Sequence, residues 1–99
     1  MKFVFIYRAG MVPKDKMETH GKDWYNWLPD INEQAGVRVA HGGKVVSSSG
    51  VTDYKDSLGG VSIIEAESLE KAIKIAGKCP GLQYGGDVIV LAEWNENGM

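Results

Sequence analysis

Residues 61–79, VSIIEAESLEKAIKIAGKC, decide how the rest of the chain reads. The opening VSIIEAE is rich in β-branched residues and predicts a strand. Ser68 comes next, and its hydroxyl can accept a hydrogen bond from the first turn of a helix. Beyond it Leu69, Ala72, Ile73, Ala76 and Cys79 recur on one helical face. Glu70 and Lys74 stand four apart on the wet side. The Cys-Pro-Gly at 79–81 ends the helix, and DVIVLAEW from Asp87 reads as the closing strand.

The upstream half carries a matching order. Residues 2–7, KFVFIY, are aromatic and β-branched and read as a first strand. Met1 leads directly into this run, which reads as a first strand rather than a targeting segment. Pro13 is well placed near a helix start. From Lys14 to Gln34 the helical wheel gathers Met17, His20, Gly21, Trp24, Trp27, Leu28 and Ile31 in one arc, with Asp15, Glu18, Lys22, Asn26 and Glu33 opposite. Pro29 predicts a kink or restart, and Gly36 a C-terminal stop. Residues 37–49, VRVAHGGKVVSSS, read as a strand or hairpin arm with a bulge at Gly42–Gly43. The resulting order, β-α-β-β-α-β, predicts an α+β ferredoxin-like domain spanning residues 1–99. Its antiparallel sheet would carry two helices on one face.

Two helices cover one face only. A half-wet sheet should alternate apolar and polar residues, yet Phe3 to Tyr7 and Val88 to Leu91 are apolar throughout. A second copy of the chain is the simplest cover, so a homodimer packed sheet against sheet is expected. Ninety-nine residues with 11 basic and 13 acidic side chains give a net charge of −2 and no basic stripe, which argues against nucleic acid. No apolar run is long enough for a membrane span. The single Cys79 excludes an internal disulfide and fits a reducing cytoplasm.

With these elements in place the chain resembles the YCII-related family, in the branch named for its Asp-Gly-Pro-Phe motif. The resemblance rests on THGKDWYNWL at 19–28, with its His followed four residues later by Trp. LGGVSIIEAESLEKAIKIAGKCP at 58–80 and GGDVIVLAEW at 85–94 extend it over most of the chain. It implies a dimeric α+β barrel and a small, cofactor-independent enzyme with a His–Asp pair as general acid and base. His20 and Asp53 occupy those positions, with Asp56 as the second carboxylate. One departure stands out: the motif loop survives only as VTDYKD at 51–56, without its Gly-Pro-Phe.

The residues themselves leave alternatives open. His20 shares a helical face with Trp24 and Trp27, where an imidazole is either a packed core group or the working part of a site. Trp24, one turn on, could wall a pocket and offer its indole N–H, and Tyr7 at the end of the first strand could border the same space; both are candidate substrate-binding residues with Asp56. Trp27 reads as core, and Cys79, on an apolar face, as structural rather than nucleophilic. His20, His41 and an aspartate lack any recognisable metal-ligand spacing, so no metal and no cofactor is expected. HGGK at 41–44 lacks the context of a phosphate-binding loop. Three readings follow: a lyase, isomerase or hydrolase acting on a small organic molecule; a non-catalytic ligand-binding or regulatory module; and a cofactorless monooxygenase, suggested by fold analogy alone.

Overall fold

Strand β1 (Lys2–Arg8) sorts the molecule into two faces. Phe3, Phe5 and Tyr7 point one way and are buried, while Val4 and Ile6 point the other. The structure, a computed structural model, describes residues 1–39 and 42–94, so His41 lies outside the described residues. After β1 come α1 (Met17–Trp27), β2 (Glu33–Arg38), β3 (Lys44–Ser47), β4 (Gly50–Asp53), β5 (Leu58–Glu65), α2 (Leu69–Ala76) and β6 (Asp87–Ala92). The main sheet runs β2-β5-β1-β6 with every neighbouring pair antiparallel. Without the separate β3–β4 hairpin this is the ferredoxin-like order the sequence predicts.

Cross-strand register extends the two faces over the sheet. Phe3 pairs with Ile64 and Phe5 with Ser62, all buried, and Ala72, Ala76 and Cys79 complete the core with Ile31. Burying each phenylalanine stabilises the fold by about 1.5–3 kcal/mol. On the opposite face Val4 lies beside Ile63 and Leu91, and Ile6 beside Val61 and Ile89. None of the buried core residues belongs to that face, and Leu91 remains 47% exposed and Val37 55%.

Several boundaries differ from expectation for identifiable reasons. Helix α1 stops at Trp27 because Pro29 turns the chain into a 3₁₀ segment, Leu28–Ile31. Asn32, at φ 58°, then takes the left-handed conformation that ends it, and its short polar side chain tolerates that geometry. Gly36 is therefore no helix stop but lies in β2 opposite Ser62. Gly42 and Gly43 have positive φ but sit between strands, and the register shifts fall at Tyr7/Arg8 and Glu33/Ala35 instead. On α2 the buried stripe is Ala72, Ile75 and Ala76, continued by Cys79, whereas Leu69 and Ile73 are exposed. Ser68 caps α2 as expected, its hydroxyl accepting from the Lys71 amide at 3.2 Å.

Candidate functional site

Helix α1 places His20, Gly21 and Trp24 on its sheet-facing side, over the end of β1. Together with Tyr7, Val12, Arg38 and Gly81 they border a cavity of about 310 Å³. Gly21 leaves open space where another residue would project a side chain, since nothing lies within 4 Å of a Cβ built there. The indole of Trp24 donates from Nε1 to Nε2 of His20 at 3.0 Å. Indole is a donor only, so the neutral His20 ring must carry its proton on Nδ1. That Nδ1 is enclosed and has no hydrogen-bond partner among the described residues. A buried polar atom left unpaired costs about 1–3 kcal/mol, and its retention beside a cavity marks a functional candidate.

Aromatic edges hold the imidazole and indole in place. The His20 ring meets Tyr84 edge-on with centroids 4.9 Å apart, and Trp24 meets Tyr7 the same way at 4.9 Å. Tyr7 contributes its ring to the cavity wall, while its hydroxyl is engaged elsewhere. It donates to buried Ser62 at 2.8 Å, and the Ser62 hydroxyl donates in turn to Glu33. Burial pushes the Tyr7 phenol up to about 12, a shift that outweighs the opposing hydrogen bond with Ser62. Burial likewise raises the Cys79 thiol, in keeping with a structural residue.

The expected residues divide into two groups. His20, Trp24 and Tyr7 converge on one cavity. Asp53 does not pair with His20 within the chain: its carboxylate binds Lys44 across the β3–β4 hairpin and is largely exposed. The hairpin takes the first half of VTDYKD, Val51 to Asp53, into strand β4 instead of a loop folding back to α1. Asp56 accepts from the Ser57 amide at 2.8 Å and borders a separate hollow beside Arg8 and Asp87. Among the described residues the imidazole is hydrogen-bonded by Trp24 and by no carboxylate. Trp27 packs against the core as expected. No group of three or more metal-binding side chains forms among the described residues.

Arg38 went unread in the sequence, although a signal was present. Val37 lies opposite Val61 on the open face, so Arg38 projects to the helix side, where its neighbours bury apolar groups. Its guanidinium sits 5.8 Å from the centroids of both Tyr7 and Trp24, within cation–π range.

The chain is thus a ferredoxin-like sheet with a small cavity, walled partly by aromatic rings, beneath its first helix. The chain belongs to the YCII-related domain family, whose model matches residues 1–95. Among solved structures it is similar to 5-chloro-2-hydroxyhydroquinone dehydrochlorinase (TftG) from Burkholderia phenoliruptrix AC1100, in complex with 2,5-dihydroxybenzoquinone. The TM-score is 0.61 at 20% identity, covering 96% of this chain and 94% of that one. At that identity the likeness establishes the fold alone. Among curated proteins no sequence matches. No helix of the described residues is long and apolar enough to cross a membrane.

Proposed function

We propose that this protein is a cofactor-independent enzyme that moves protons on a small, oxygenated organic molecule, with His20 as its acid–base residue. The observation that carries the reading is the enclosed, unpartnered Nδ1 of an imidazole bordering a cavity, its other nitrogen held by Trp24. Substrate supplies the partner that Nδ1 lacks by displacing a side chain that now encloses that nitrogen. Because the neutral ring carries its proton there, His20 first acts as a hydrogen-bond donor to a substrate oxygen gaining negative charge, as in an enolisation or elimination whose carbon-bound proton passes to solvent. The dehydrochlorinase with the same fold supports a lyase or isomerase reaction on a hydroxylated ring over a hydrolysis.

The acting form is a homodimer in a reducing cytoplasm, packed through the open sheet face. Val4, Ile6, Val61, Ile63 and Leu91 form the interface, and the single free Cys79 suits that compartment.

The test is incubation with a panel of hydroxylated and halogenated aromatic diols and hydroxyquinones, following substrate loss, halide release and oxygen uptake. Turnover without oxygen uptake, abolished in His20→Gln, is expected. Oxygen consumed in proportion to substrate favours the monooxygenase reading, and ligand binding without turnover favours the non-catalytic one. Either outcome overturns the proposal.

A further inference from the structure

Two arginines border the cavity, and among the described residues only one has its charge answered. Arg8 is committed to Asp87 through two hydrogen bonds of 2.7 Å, which hold the Asp87 carboxyl below its usual range. Arg38 makes one hydrogen bond among the described residues, to the Val37 carbonyl at 3.3 Å, and no carboxylate there lies within ion-pairing distance of it. The fold nevertheless makes room for it. Across the sheet Arg38 on β2, Gly60 on β5 and Tyr7 on β1 stand in one register row. A Cβ at Gly60 would lie 3.2 Å from the Arg38 Cδ and 2.7 Å from the Val37 carbonyl oxygen. Glycine inside a central strand is disfavoured unless something crosses it closely. Here the Arg38 side chain crosses it to reach the aromatic wall.

A guanidinium with open donors, stacked on aromatic rings at the edge of an apolar cavity, is suited to a delocalised anion that presents two oxygens in one plane. A volume of about 310 Å³ lies at the small end of ligand pockets and accommodates a single ring. We infer that Arg38 is the anion-recognition residue of this cavity. The substrate is accordingly a small planar oxyanion, a carboxylate or a delocalised enolate, with its charged edge on Arg38 and its ring in the apolar remainder beside Val12 and Gly21. The inference rests on reading the cavity as the substrate site, and it adds the charge and shape of what enters.

Calorimetric titration tests it with benzoate, tropolonate and neutral benzamide against wild type, Arg38→Gln and Arg38→Lys. Wild type should bind both anions more tightly than benzamide. Arg38→Gln should weaken the anions by about 10–100-fold, the loss expected for a charge-assisted pair, and leave benzamide unchanged. Arg38→Lys should fall between, since it keeps the charge but not the planar fork. Arg38 is exposed, so the melting temperature should not move. Benzamide bound as tightly as the anions by wild type, or anion affinity unaltered in Arg38→Gln, overturns the inference. Its failure is separable from that of the proposed enzyme: turnover surviving in His20→Gln removes the acid–base role while anion binding through Arg38 persists, and the converse holds equally.

Discussion

At the scale of single residues, the chemistry of the site depends on which partner each polar group has found. Tyr7 illustrates it: its ring walls the cavity, but its phenol is bound inward to Ser62 and Glu33. With its folded value near 12 against an ordinary 10.0, the native state holds the phenolic proton where the unfolded chain has released it. The stability this contributes is complete below about pH 10 and drains away as pH rises through about 12. Urea unfolding across that window should therefore show a fall in stability that Tyr7→Phe flattens, while the variant loses about 1 kcal/mol at neutral pH. Equal alkaline slopes in both proteins would place the phenol in contact with solvent. His20 and Trp24 were legible from helical spacing and from the family's His and Trp, and Tyr7 from its place at the end of the first strand. The tautomer was not, because it depends on which ring nitrogen the indole reaches, a distance no spacing encodes.

The elements show where patterning was sufficient and where it was overridden. Strands β1, β5 and β6 follow directly from β-branched and aromatic runs, and α2 from its Ser68 cap. The extent of α1 was overstated because Glu33 and Gln34 continue a helical wheel as comfortably as they begin a strand. Only the left-handed Asn32 decides between the two. Only the first arm of the β3–β4 hairpin lay within a stretch read as strand or hairpin arm; β4 was missed because the hairpin has no buried face to impose alternation, with every residue of both strands exposed. The pairing of Asp53 with Lys44 is a product of that hairpin register and was not legible without β4. Within α1, Gly21 sits mid-helix beside the cavity with nothing near its missing Cβ. Gly21→Ala should stabilise the protein by about 0.5–1 kcal/mol through helix propensity, raising the calorimetric melting temperature by a few degrees. A lower melting temperature would mean that an unseen neighbour, such as a second copy, occupies that space.

At the scale of the molecule, the sheet has the cavity on one side and, among the described residues, a partly exposed apolar surface on the other. The interface reading turns on register: Ile63 and Leu91 belong to the open face, whereas Val88 and Val90 pack toward the core. Ile63→Asp should convert a dimer into a monomer by light scattering while leaving secondary structure intact, and a wild type already monomeric at micromolar concentration would contradict the assembly. The fold was legible because periodicity and turn residues agreed along most of the chain; the full site was not, since Arg38 meets Tyr7 only through strand pairing across Gly60. The proposed enzyme depends above all on His20 serving chemistry rather than packing. Its direct test is to measure, on the same preparations, turnover and melting temperature of wild type and His20→Gln. The predicted result is turnover lowered by roughly 10²–10⁴-fold with an almost unchanged melting temperature. A melting temperature that collapses while turnover per folded molecule is preserved would show that His20 is core.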